Sequence, residues 1–333
     1  MSSLILLAHP TEAAPAMLRL IVVPLDGSPF GEQPLQLAIR IAERQRAEVE
    51  LVHVHKAIPP YMVQGAPPLD PALDADLQRE QQSYLDSIAR WVQEHSSAGV
   101  STTVLTGMNV AAALAEHLAD RRADLVVMAT HGKGGLSRIW IGGVANELVR
   151  HSDTPVLLVR PSQSGSRETT APPFRHVLVP LDGSSADDEA IEHAIAVAGE
   201  PDVEFVLLHV VVPVAYLAEP MDTAVTVPTV ESVVAQHLEE LARRIRARGI
   251  STSTRILDDV SPAKVIVEIA NELDADLIAM ETHARTGVSR LLLGSVTDKV
   301  MRASSAPVLV HRRRADAAHA ASEVDGAGAM ARG

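Results

Sequence analysis

Short aliphatic runs alternate with longer amphipathic stretches along most of the 333-residue chain. Leu20–Pro24, Val49–Val54, Val100–Leu105, Leu125–Ala129 and Val156–Val159 read as strands. Leu20–Pro24, Leu125–Ala129 and Val156–Val159 are apolar throughout instead of alternating with polar residues, which suits parallel strands buried on both faces. Helices are predicted between them. One has Ser28 as N-cap and Pro29 at its first position, one spans about Asp74 to Ser97, and one starts at Asn109. Strand–helix alternation of this kind predicts a doubly wound α/β sheet.

The whole pattern occurs twice. Val23-Pro24-Leu25-Asp26-Gly27-Ser28 returns as Val179-Pro180-Leu181-Asp182-Gly183-Ser184, an offset of 156 (23 to 179). Val52-His53-Val54 returns as Leu208-His209-Val210 at the same offset. The run Ala123 to His131 returns as Ala275 to His283 at 152 (131 to 283), so the second copy is four residues shorter in its middle. Repeats in the same order at near-constant spacing mean duplicated domains, here 18–160 and 174–312, each with its own parallel five-stranded sheet. The stretch 161–173, rich in Pro, Ser, Gly and Thr, reads as a linker, and the Ala/Gly-rich tail 313–333 as disordered. Each unit closes in a hydrophobic strand, Val156–Val159 and Val308–Val310. Two unpaired edges of that kind are expected to pair with each other inside the chain.

Composition narrows the function. The formal charge of −13 disfavours a nucleic-acid partner, although it is compatible with further pairing into a homodimer. With no cysteine there can be no disulfide, thiol catalysis or zinc–thiolate site. No apolar run approaches the ~18 residues of a membrane span, and Leu4–Leu7 lacks the basic flank of a signal sequence. A cytoplasmic protein without a membrane partner is expected. Aromatic residues make up only 2%, so aliphatic side chains must fill the cores.

Two segments at strand C-termini stand out, Pro24–Ser28 and the glycine-rich Thr130–Gly143. Ligands bind beyond the C-terminal strand ends of doubly wound sheets. Glycines let backbone N–H groups approach an anion, and the following helix offers its positive end. The same glycines also suit a tight turn. The spacing is neither a Walker A loop nor a G-x-G-x-x-G fingerprint. His53-Val54-His55 has metal-like spacing but no evident third ligand, so no metal site is expected. Lys133 and Arg138 read as phosphate partners or solvated loop charges, and Tyr61 and Met62 as cover from a proline-rich loop. No nucleophile elbow or positioned carboxylate pair is evident, which argues against an enzyme.

Asp after a first strand, His-Val ending a second, and Thr-His-Gly followed by nine residues and a glycine together resemble the universal stress protein family, in a tandem form. The resemblance implies an adenine nucleotide alpha hydrolase-like fold. It implies ATP, alone or as its Mg2+ complex, with phosphates in the glycine loop and the first-strand Asp near adenine and ribose. By that resemblance the first unit binds through Pro24, Asp26, Val54, Met128, Ala129, His131, Gly132, Gly142, Gly143 and Val144. The second would use Pro180, Asp182, Val210, Met280, His283, Gly294, Ser295 and Val296.

The first unit departs from the family pattern at Ala129 and at Gly143, where Ser or Thr is expected. The second departs at Glu281 and Ala284. A carboxylate beside a polyphosphate is repulsive by roughly 1–4 kcal/mol, so the first unit is expected to be the better site. Glu281 is expected at the mouth of the second site near Ser295, either as a built-in anion or through drift. The resemblance also implies that the closing strands make the contact between units. The leading reading is an ATP-binding stress regulator whose state protein partners read. A nucleotide-independent scaffold and a slow nucleotide hydrolase are the alternatives.

Overall fold

The computed structural model describes residues 17–56, 71–130, 141–161, 174–184, 187–199, 202–213, 230–282 and 294–312. Expectations for Tyr61, Met62, the linker beyond residue 161 and the tail fall outside these residues. The first half runs β1 (Leu20–Pro24), α1 (Pro29–Glu32), α2 (Pro34–Gln45), β2 (Glu48–His55), α3 (Pro71–His95), β3 (Gly99–Thr106), α4 (Val110–Arg121), β4 (Leu125–Ala129), α5 (Gly143–His151) and β5 (Val156–Val159). The second runs β6 (His176–Leu181), α6 (Asp187–Ala198), β7 (Glu204–Val211), α7 (Val230–Ala247), β8 (Ser251–Asp258), α8 (Pro262–Glu272), β9 (Leu277–Thr282), α9 (Ser295–Ala303) and β10 (Val308–Arg312).

The expected two five-stranded sheets are the halves of a single ten-stranded sheet, ordered β3-β2-β1-β4-β5-β10-β9-β6-β7-β8. Within each half every pairing is parallel. The seam is antiparallel and joins the two closing strands, with Val308 opposite Leu158, Leu309 opposite Leu157 and Val310 opposite Val156. Side chains reinforce it: the Arg44 guanidinium donates to the carbonyls of Ala196 and Val197, and Gln45 Nε2 to that of Ala196 at 2.7 Å.

Successive strand side chains point to opposite faces, which divides the core into two layers. Ile21, Val23, Leu125, Val127, Leu277 and Ala279 meet α2, α3, α6 and α7 on one face. Val22, Val126, Met128, Ile278 and Met280 meet α4, α5, α8 and α9 on the other. Ser28 caps α1 as expected, its Oγ accepting from Gly31 N at 3.1 Å. The helix predicted to continue from there is broken after Glu32. Pro34 has no N–H to give to the turn before it, so the helix restarts at that proline as α2. Gly27 (φ 76°) and Gly183 (φ 81°) make the left-handed step that follows each first-strand Asp. Among the described residues no helix is long and apolar enough to cross a membrane.

Candidate functional site

In the first half β1 lies between β2 and β4, so chain order reverses beside it and a crevice opens beyond the strand C-termini. Pro24, the last residue of β1, is in register with Val52, and Leu25 N donates to Val52 O at 2.8 Å. Asp26 follows, half-buried, its Oδ1 accepting from Ser28 N (2.9 Å) and Ser28 Oγ (2.6 Å). A Cβ on residue 31 would lie 2.4 Å from that oxygen, so Gly31 is what lets the carboxylate turn inward.

The end of β4 is drawn to the start of α5 by one hydrogen bond, from Gly142 N to Thr130 O at 2.7 Å. Gly142 is the N-cap and offers no side chain, so the first-turn N–H groups of α5 lack the usual side-chain cap. Among the described residues, a side chain at Gly143 would meet nothing within 4 Å. Val54, Met128 and Val144 share the sheet face covered by α4 and α5. Ala129, one residue after Met128, falls on the opposite face by strand alternation. His131, Gly132, Lys133 and Arg138 lie outside the described residues.

The second half repeats this frame with altered chemistry. Pro180 is in register with Leu208, and Val210, Met280 and Val296 share the corresponding face. Gly294 is the N-cap of α9, with Ser295 exposed at its first position, while His283 and Ala284 are outside the described residues. Asp182 accepts from Ser184 N at 3.0 Å. Where the first unit has Gly31, the second has buried Asp187. Its Oδ1 accepts from Asp182 N at 3.3 Å, and its Oδ2 lies 2.9 Å from His237 Nε2. Burial, with the neighbouring Asp182 charge, holds the Asp187 carboxyl above the usual carboxylate range despite the bond to His237.

Glu281 is not where the sequence reading put it. Met280 takes the face of α8 and α9, so Glu281 turns to the opposite face and meets α6 and β10. Its Oε1 lies 3.3 Å from His193 Nδ1 and 3.0 Å from His311 Nδ1, and its Oε2 is 3.1 Å from the latter. Burial pushes the Glu281 carboxyl up, but the bonds to His193 and His311 outweigh it and hold the group below its ordinary value. Glu281 therefore neither plugs the helix N-terminus at Ser295 nor faces that side of the crevice, and both readings of it as a phosphate substitute or repellent fall.

Sequence reasoning missed His193, His311, Asp187 and His237. The signal available was the departure of the first three from Leu37, Val159 and Gly31 at equivalent positions of the first unit. His55 finds its partners on α3, with Nδ1 3.0 Å from Gln81 Oε1 and Nε2 2.9 Å from Asp74 Oδ1, so it pins that helix to the sheet.

Residues 17–160 and 173–312 each match the universal stress protein family. The chain belongs to that family. A universal stress protein of Mycolicibacterium smegmatis is 27% identical over 305 residues, covering 88% of this chain and 97% of its own. One from Mycobacterium tuberculosis is 29% identical over 296 residues, covering 88% and 96%. Both relatives match along nearly their whole length, so the tandem form is common to all three. The crystal structure of a universal stress protein from Archaeoglobus fulgidus superimposes with a TM-score of 0.65 at 21% identity, over 89% of this chain and 98% of that one. At that identity it speaks for the fold alone.

Proposed function

We propose that this universal stress protein is an ATP-binding regulatory sensor in a stress response, with the first unit the stronger nucleotide site. The observation that carries the reading is the frame at the C-terminal end of β1 and β4. A half-buried carboxylate there shares a topological switch point with the glycine-opened N-terminus of α5. The residues fit the ligand: α5 begins on two glycines, and none of the described residues comes within 4 Å of a side chain placed at Gly143. Gly142, Gly143 and the α5 N–H groups would face the phosphates, with His131 and Gly132 added by resemblance. Asp26 would serve the adenosine end, and Val54, Met128 and Val144 would supply apolar cover. ATP, alone or as its Mg2+ complex, brings the anionic triphosphate that this positive helix end attracts.

The preference for the first unit now rests on Asp187 instead of Glu281. Where the first unit leaves the seat beside Asp26 to a glycine, the second fills the equivalent position with the buried Asp187 side chain, whose Oδ1 takes the Asp182 N–H, so the adenosine end has less room there. A cytoplasmic location, pairing into a homodimer and readout by protein partners belong to the same reading. No hydrolytic step is assigned. Calorimetric titration with ATP of the wild type, Gly132→Glu and Ala284→Glu tests it. Binding should disappear with the first substitution and persist with the second. Equal losses, or a loss confined to Ala284→Glu, would overturn the ranking, and a wild type that takes up no adenine nucleotide would overturn the proposal.

A further inference from the structure

In the second unit three metal-binding side chains converge from three different elements: His193 from α6, Glu281 from β9 and His311 from β10. One ligand atom from each lies within 4.8 Å of the others. The carboxylate oxygen stands 3.0 and 3.3 Å from the two imidazole Nδ1 atoms. A tetrahedral ion with metal–ligand bonds of ~2.0–2.1 Å has ligand–ligand edges of about 3.3 Å, so the two carboxylate–imidazole separations match such an ion, while the imidazole–imidazole edge is bounded at 4.8 Å. We propose that His193, Glu281 and His311 bind a divalent first-row transition-metal ion through two imidazole nitrogens and one carboxylate, leaving at least one coordination position to water.

The fold itself does not call for this trio. The first unit builds the same place from Leu37, Ala129 and Val159, all apolar, the first two buried and the third packed against the core. Three replacements at three separate points of the chain convert that apolar contact into a set of donors. The Glu281 side chain is only 5% exposed, and a carboxylate so deep in the fold requires a cationic partner. The His311 ring also stands beside the backbone of Asp153, a place from which an outer bond can orient a ligating imidazole. Asp153 lies just before β5, so the site is buttressed from across the seam by the other unit. The donor set selects the metal class. Two imidazoles with one carboxylate suit zinc, iron, nickel or copper, whereas calcium and magnesium take oxygen ligands. The side chains of His193 (28% exposed) and His311 (16%) leave a way in for the ion and a place for water.

The test uses the full-length chain, free of any affinity tag and stripped with a chelator. Zinc is titrated against a chromophoric competitor, and cobalt(II) is added separately to read the ligand-field spectrum. The wild type is expected to take up one zinc per chain and to give a cobalt spectrum of low-symmetry nitrogen–oxygen coordination. Glu281→Gln and His311→Gln should each weaken zinc binding by more than the ~10–100-fold that loss of an outer partner costs. Replacing His193→Leu, Glu281→Ala and His311→Val together installs the first unit's own residues and should abolish both signals. The chain has 14 histidines, so this triple change is what assigns the bound ion to the trio. Circular dichroism checks the fold of each variant, and if the triple change unfolds the chain, the near-isosteric Glu281→Gln decides. No stoichiometric zinc in the wild type would mean that the trio is a closed hydrogen-bond network and would overturn the proposal. Undiminished binding in the folded triple variant, or in Glu281→Gln, would overturn it equally.

Discussion

Residue 31 controls Asp26 through the side chain it does not have. Alanine there would put its Cβ 2.4 Å from an oxygen already held by two hydrogen bonds from Ser28, so the carboxylate would have to leave its seat. Gly31→Ala is expected to lower ATP affinity about tenfold or more, the loss of a charge-assisted hydrogen bond of about 1.5–3 kcal/mol. Calorimetry reads the affinity, and a thermal melt checks that the fold is intact. Gly143 presents the opposite case, since a side chain there meets nothing within 4 Å among the described residues. Gly143→Ser restores the family's hydroxyl at no steric cost and should tighten ATP binding about fivefold, the equivalent of ~1 kcal/mol. The positions of Asp26, Gly142 and Gly143 were legible in the sequence, because Asp26 follows the end of a strand and the two glycines open a helix. The orientation of Glu281 was also open to reading, since it cannot share a face with its neighbour Met280. The partners of Glu281 were not legible: His193 lies 88 residues away on another element.

Between elements, the least expected feature is a buried charge. Glu50 on β2 is 2% exposed, and its carboxylate accepts from Thr103 Oγ1 of β3 (2.6 Å) and Arg121 Nε of α4 (3.2 Å), with His117 Nε2 of α4 at 3.1 Å. Burial alone would raise the pKa of this group, but those three partners together hold it below its ordinary value of 4.5. A carboxyl whose folded pKa is depressed stabilises the fold fully above its unfolded pKa and loses that contribution as pH falls through the folded value. Glu50→Gln should therefore cost about 1–3 kcal/mol at pH 7 and flatten the loss of stability below about pH 4.5. Chemical denaturation followed across pH 3–7 measures both, and parallel curves for the two proteins would refute the assignment. The strands and most helices were legible because short aliphatic runs alternate with amphipathic stretches and the pattern recurs in both units. This network was not, because a lone Glu within an apolar strand gives no hint of which helix will answer it. The break at Pro34 was available in principle, but the proline lies inside an amphipathic pattern that continues past it.

At the scale of the molecule, the seam between β5 and β10 turns two domains into one sheet. Leu309 is 1% exposed at its centre, and Leu309→Ala should destabilise the chain by about 2–5 kcal/mol in denaturant melts. The first unit expressed alone would present β5 as a bare edge and should form a dimer in sedimentation experiments, whereas a monomer would show that the edge is protected in another way. That pairing was legible from two hydrophobic closing strands; its continuity into ten strands follows from their antiparallel register. The register has one more effect. Every strand of the first half runs against every strand of the second, so the two C-terminal rims lie at opposite poles of the sheet. Asp26 and Gly142 mark one pole; Asp182, Gly294 and the His193–Glu281–His311 trio mark the other. This is also why Asp153, at the root of one half, stands beside His311, at the tip of the other. A reader docked over one pole leaves the other uncovered. On the reading proposed above, two separate partners could therefore reach the two ends of one chain at the same time.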